Sequence, residues 1–195
     1  MRVYISEEQQ KQMSEQAAIQ QILNGNTEAF RQIVEAYSDK LFAFVGRIVR
    51  QPMDAEEIAE DVFVKAYQHL AEYRHTQASL WTWLRSIAYN ESLNHLRKQK
   101  PTIISLDDDD GPPDSEEDWI TAAQGDNDST DSRIDLLNQA IDRLPPDDRL
   151  LIELFYYDNQ PIKDIALITG QSQPNILTRL YRIRKRLHKE IAKSL

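Results

Sequence analysis

Between Phe30 and Ile48 the apolar residues fall at Phe30, Ile33, Val34, Tyr37, Leu41, Phe44, Val45 and Ile48. Those steps of three and four hold for about five helical turns. A strand would need alternation at every second residue, and this chain has little Val/Thr alternation and only five glycines to punctuate hairpins. The expected fold class is all-α. Pro52, which lacks an amide hydrogen and clashes with the preceding turn, ends the run. Ahead of it, Ile19, Ile22 and Leu23 form a shorter stripe that stops at Gly25, and Asn26 or Thr27 is placed to cap the long helix.

The same period recurs downstream. Asp54, with Glu57 three residues on, resembles a capping box and opens a helix marked by Ile58, Val62, Ala66, Tyr67 and Leu70. After a polar break from Tyr73 to Ser79, Ser79 caps a helix carrying Leu80, Trp83, Leu84, Ile87, Leu93 and Leu96. Residues 101–132 lose all periodicity, with Ile103, Ile104, Leu106, Trp119 and Ile120 as their only apolar anchors. Helical signal returns at Ile134, Leu137, Ile141 and Leu144. Asp147 or Asp148 then begins a helix holding Leu150, Leu151, Leu154 and Phe155, and further helices are expected at 161–168 and about 173–193. The expected architecture is two small helical domains, 1–100 and 133–195, joined by a flexible linker over 101–132.

Charge follows these boundaries. The net −9 of the chain looks wrong for a nucleic-acid binder. Residues 1–100, however, carry 12 basic and 13 acidic side chains, residues 101–132 carry none and 11, and residues 172–195 carry 7 and 1. The acidity sits in the linker and the C-terminal end is a concentrated basic patch. The linker composition suits a mimic of nucleic acid in a basic channel and equally a solubilising tether.

The most specific local pattern runs from Pro161 to Leu187. A short helix (Ile162, Ile165, Ala166, Ile168) meets a Thr169-Gly170-Gln171 turn, and Ser172 caps a helix that turns Ile176, Leu180, Ile183, Leu187 and Ile191 inward. This is a helix-turn-helix pattern, whose second helix enters the major groove. Its outward face carries Gln173, Asn175, Thr178, Arg179, Tyr181, Arg182, Lys185, Arg186 and Lys189. Hydrogen-bonding side chains lead, suited to base edges, and cations follow, suited to phosphates.

Taken in order, the blocks resemble the extracytoplasmic-function (ECF) sigma factors of bacterial RNA polymerase, within the sigma-70 family. Asp54-Ala55-Glu56-Glu57-Ile58 through Tyr67 resembles the family's polymerase-binding helix. Thr82-Trp83-Leu84, Ile87-Ala88, Asn90 and Leu96-Arg97 resemble its promoter-melting helix. Leu144-Pro145-Pro146, Arg149 and the helix-turn-helix ending Arg179-Leu180 resemble its C-terminal domain. The resemblance implies that 1–100 is sigma region 2, a helical bundle binding core polymerase and opening the −10 element, and that 133–195 is sigma region 4, reading the −35 element. It implies promoter DNA and core RNA polymerase as partners, and an anti-sigma factor as a third.

On that basis Asp54, Glu57, Glu60, Asp61, Phe63, Val64 and Lys65 are expected to meet polymerase: a charged stripe beside apolar neighbours suits a helix-on-helix interface. Phe63 is exposed on this reading, while periodicity alone allows it in the core. Tyr73, Arg74, Tyr89 and Asn90 are expected to capture an unstacked base, with Arg85, Arg97, Lys98 and Lys100 on the strand backbone. Trp83 matches a family position, but its spacing with Ile87 favours the core. Pro161, Leu177, Glu60 and Asn94 depart from the usual family residues, which leaves the promoter sequence open.

Other functions fit less well. A conventional helix-turn-helix regulator has no use for the Asp54–Tyr67 and Thr82–Arg97 blocks. An enzyme is not expected: His69, His75, His95 and His188 are dispersed without metal spacing, and no phosphate-cradling glycine loop or nucleophile motif occurs, so neither cofactor nor metal is anticipated. Absence of cysteine suits a reducing compartment. No apolar run approaches the roughly 20 residues of a membrane span, and the polar first residues lack a signal peptide's apolar stretch. A cytoplasmic location without membrane insertion is expected.

Overall fold

The computed structural model describes residues 7–99 and 130–194, and every ordered element among them is helical. Most of the expected linker, with its five apolar anchors, and Lys100 lie outside the described residues. The chain divides into two compact units between Lys100 and Pro101.

The first unit contains α1 (Glu7–Leu23), a 3-10 turn at Thr27–Ala29, α2 (Phe30–Val49), α3 (Pro52–Gln68), a second 3-10 turn at Leu70–Glu72, and α4 (Leu80–Gln99). Helices α2, α3 and α4 pack mutually, and α1 lies against α2. The core is the stripe expected on α2 (Ile33, Tyr37, Leu41, Phe44, Val45, Ile48) closed by Ile58 and Val62 of α3 and by Leu80 and Leu84 of α4. Each such large apolar side chain contributes about 1.5–3 kcal/mol on burial.

Helix boundaries depart from the sequence expectation where proline intervenes. Neither Asn26 nor Thr27 caps α2 directly, since the 3-10 turn stands between and Asn26 makes no capping bond through its side chain. At the far end Arg50 takes the left-handed conformation (φ 62°) and its N–H closes on the Gly46 carbonyl at 3.0 Å. Gln51 is then extended (φ −98°, ψ 118°), as the residue before a proline must be. Pro52 itself opens α3, because a missing N–H costs nothing in the first turn. Asp54 is therefore a first-turn carboxylate rather than a cap. Ser79 does cap α4, its Oγ accepting the Thr82 N–H at 3.1 Å.

The second unit contains α5 (Thr130–Asp142), α6 (Pro146–Ile152) running into a π-turn at Glu153–Tyr157, α7 (Ile162–Thr169) and α8 (Gln173–Ser194). Helix α5 begins inside the stretch expected as linker. Pro146 again opens a helix, so Asp147 and Asp148 are not caps but first-turn acids. Helices α5, α6 and α7 all pack on α8. Ile176, Leu180, Ile183 and Leu187 are buried there as expected, with Leu150, Leu151, Leu154, Ile165 and Ile168 against them. Leu23, Tyr67 and Ile134, assigned above to apolar stripes, lie exposed at the stripe edges.

Candidate functional site

Helix α7 ends at Gly170 in the left-handed conformation (φ 68°), which glycine adopts without the Cβ clash of other residues. The turn delivers the chain to Ser172, whose Oγ accepts the Asn175 N–H at 3.4 Å at the start of α8. Gln173 and Asn175 are exposed on the first turn of α8, followed by half-buried Thr178 and Tyr181, then exposed Arg182, Lys185, Arg186 and Lys189. The polar lead and cationic trail expected of a groove-reading helix thus share one outward surface. Arg186 also pairs along the helix with Glu190 at 3.5 Å.

Arg179 is the exception. Its Nε donates to Asp148 at 2.7 Å and its Nη2 stands 3.5 Å from Asp147. Both acids occupy the first turn of α6, where their charge also suits the positive end of that helix. The expected phosphate contact is corrected to an internal tie that locks α8 onto α6. The i, i+3 spacing to Arg182 gave no hint of this, because the nearer partner acid, Asp148, lies 31 residues away.

In the first unit the stripe expected on α3 separates into two faces. Glu57, Glu60, Asp61 and Val64 are exposed, Val64 at 55%. Phe63 is corrected to a core residue: it is only 8% exposed and meets Phe30 edge-on at 6.5 Å. Its position one turn after Ala59 places it on the α2 side. Two charged members turn toward α4 instead: Asp54 lies 3.0 Å from His95 Nε2, and Lys65 forms an ion pair with Glu91. The outward face gains two members that sequence reasoning missed, Met53 (83% exposed) and Tyr67. With Glu57, Glu60 and Val64 they recur at three- and four-residue steps.

The Tyr73–Ser79 loop leads into α4. The Tyr73 hydroxyl donates to the Ala78 carbonyl at 3.0 Å across the loop, and its ring lies 5.3 Å from Trp83. Burial, followed by the Glu15 carboxylate, pushes the Tyr73 hydroxyl up to about 12. Arg74 is exposed and donates to the Ala71 and Tyr73 carbonyls. Asn90 is exposed on α4 with Nδ2 donating back to the Ser86 carbonyl at 2.9 Å, and Arg97 and Lys98 are exposed at the end of that helix. Tyr89 is corrected: at 3% exposure it is part of the core and offers no ring face to a base. Arg85 is likewise buried, its guanidinium 5.3 Å over the Trp81 ring, so it does not meet a strand backbone. Trp81 itself, absent from the sequence expectations, stacks on Tyr37 at 5.6 Å and 7°.

A capped helix-turn-helix with a basic second helix, in one chain with a separate helical unit bearing an acidic-apolar outer face, defines a two-part DNA-binding transcription protein. Comparison with known proteins narrows this. The model of Sigma-70 region 2 matches residues 33–102 and that of Sigma-70, region 4 matches residues 134–187, together more than half the chain. The chain is 27% identical to the RNA polymerase sigma-H factor of Pseudomonas aeruginosa (92% of this chain, 95% of the relative). It is 28% identical to the ECF RNA polymerase sigma factor SigW of Bacillus subtilis (89% and 94%). Among solved structures it is similar in fold to CnrH in complex with the cytosolic domain of CnrY (17% identity, TM-score 0.59, 93% of this chain, 99% of that one). It is also similar to the sigma factor RpoE in complex with the anti-sigma factor NepR from Bartonella quintana (22%, 0.54, 84% and 96%).

The chain belongs to the sigma-70 family, in its ECF group. It is an alternative sigma factor, a transcription-initiation subunit that works with core RNA polymerase on promoter DNA and is not an enzyme.

Proposed function

We propose that the two units divide promoter use between them. The first unit binds core polymerase through the exposed face of α3 (Met53, Glu57, Glu60, Asp61, Val64, Tyr67) and opens the downstream element with the Tyr73–Ser79 loop and Asn90. The second unit reads the upstream element with Gln173, Asn175, Thr178, Tyr181 and Arg182, and holds phosphates with Lys185 and Arg186. The observation that carries this reading is α8: capped by Ser172, buried along one stripe and cationic along the other. The protein works in the cytoplasm, and among the described residues no helix is long and apolar enough to cross a membrane. An anti-sigma factor covering these surfaces is a further partner. Supporting it, the fold neighbours CnrH and RpoE were each solved with a bound protein.

In vitro transcription with core polymerase and a genomic promoter library tests the proposal. Promoter-selective initiation that requires both chain and core is expected. Free chain should bind duplex DNA weakly, because its net charge is −9. Tight promoter-specific binding by the free chain, unchanged by core polymerase, would instead favour a conventional helix-turn-helix regulator.

A further inference from the structure

The two ends of the Tyr73–Ser79 loop are held by separate aromatic contacts. At one end, the ring of Tyr73 lies against Trp83 while its hydroxyl spans the loop to Ala78. At the other, Trp81 on the first turn of α4 stacks on Tyr37 of α2, with Phe44 edge-on at 6.3 Å and Arg85 over its ring. Trp81 and Trp83 are two residues apart, so they leave α4 on nearly opposite sides and each meets a different tyrosine.

A side chain from α1 holds the first of these tyrosines, Tyr37. Glu15 projects from α1 and its carboxylate accepts the hydroxyl of buried Tyr37. Tyr37 is raised well above its ordinary value by burial, then by this bond and the charge of Glu15, and last by Tyr73. Burial and then the charge of Glu15 raise Tyr73 as well. Helix α1 also touches the Leu70–Glu72 turn that feeds the loop. Removing this acceptor weakens the hold on the Tyr37 rotamer and, with it, on the indole stacked against that ring.

We propose that Glu15 is a positioning residue for promoter opening. By accepting the Tyr37 hydroxyl it holds the Tyr37–Trp81 stack, and with it the Tyr73–Ser79 loop, in the arrangement that receives an unpaired base. This rests on the promoter-opening role proposed above for the loop. Helix α1 is thereby a brace for the loop and not only a cover for the α2 core.

The test uses the full chain with core polymerase on a duplex promoter, and reads permanganate reactivity of downstream thymines at equal promoter occupancy. Glu15→Ala and Tyr37→Phe should each lower reactivity about five- to tenfold, the loss expected of one partly buried hydrogen bond. The double variant should fall no further than the worse single, because both delete the same bond. Glu15→Gln, whose amide oxygen accepts the same bond, should stay within about twofold of wild type. Wild-type reactivity in Glu15→Ala, additive losses in the double variant, or a loss in Glu15→Gln equal to that in Glu15→Ala would each overturn the proposal. So would a drop in opening matched by an equal drop in polymerase assembly, which is what a merely structural role produces. Failure of the wild-type holoenzyme to open any promoter would overturn the sigma-factor reading of the loop as well. Normal wild-type opening with unaffected variants would remove Glu15 alone.

Discussion

Arg179 lies on α8, the helix proposed to read DNA, yet its guanidinium is engaged by Asp147 and Asp148 of the same unit. Its side chain is 28% exposed and those of the two acids are 26% and 17%, so the triad is neither a free surface pair nor a dry one. Exposed ion pairs contribute about 0–1 kcal/mol, whereas a hydrogen bond to a charged group at this depth contributes about 1.5–3 kcal/mol. Truncating Arg179 also leaves two adjacent carboxylates, a cost softened by about 0.3–1 kcal/mol from the N–H groups at the start of α6. Arg179→Ala should therefore destabilise the second unit by about 1.5–2 kcal/mol. In amide hydrogen exchange that is a protection loss of about 10- to 30-fold in peptides from α6 and α8. Peptides from α2 and α3 of the first unit are the internal control. Mass spectrometry suits this better than tryptophan fluorescence, since two of the three tryptophans, Trp81 and Trp83, lie in the first unit and none lies on α6 or α8. Arg179→Lys should recover part of the loss, because an ammonium cannot present the planar fork to two acids. Unchanged exchange in Arg179→Ala, together with weaker promoter binding and a salt slope reduced by about one, would refute the internal-tie argument and restore a phosphate contact.

Thr178→Ala and Arg182→Ala should relax base preference in the upstream element by about 1–3 kcal/mol each; selection from a randomised element measures this, and unaltered preference would relocate the reading face. Asn90→Ala deletes no apolar core and should leave promoter occupancy intact while lowering permanganate reactivity downstream; wild-type reactivity at equal occupancy would exclude Asn90 from the base pocket. At alkaline pH the folded first unit keeps protons that the unfolded chain releases from about pH 10, because Tyr73 titrates only near 12 and Tyr37 is raised too. Stability should be full below pH 10 and fall between about 10 and 12, a slope that urea titrations should show and that Tyr73→Phe should flatten. An equally steep slope in that variant would argue against Tyr73 as its source.

Much of this was legible in the chain itself. The α2 stripe and the α7–turn–α8 pattern are periodic over several turns, and periodicity reports a buried face directly. What escaped was whatever depended on a partner distant in sequence. Arg179 reads as one more cation on a basic helix until α6 brings Asp148 against it. Phe63 sits beside Val64, and whether an aromatic at the stripe edge faces in or out is decided by Phe30 on another helix. Tyr89 looked like a base-stacking ring because it precedes Asn90, although adjacent helical residues diverge by about 100° and only Asn90 reaches solvent. Helix starts were misplaced for a local reason. Proline at the first helical position competes with an acidic cap for the same role, and it won at both Pro52 and Pro146.

The π-turn at Glu153–Tyr157 has a consequence for aim. Its ladder closes from the Asp158 N–H to the Glu153 carbonyl at 2.9 Å, five residues back rather than four, and Gln160 N–H then returns to Leu154 at 2.8 Å. The wider coil holds one residue more than an α-helical turn would. Every residue of an α-helix advances the azimuth by about 100°, so the turn sets the phase at which the backbone leaves for α7. Deleting one residue there would preserve all the side chains proposed to read DNA and all their spacing along α8. It would move the point from which the chain sets out for α7, while the buried stripe of α8 (Ile176, Leu180, Ile183, Leu187) keeps that helix seated.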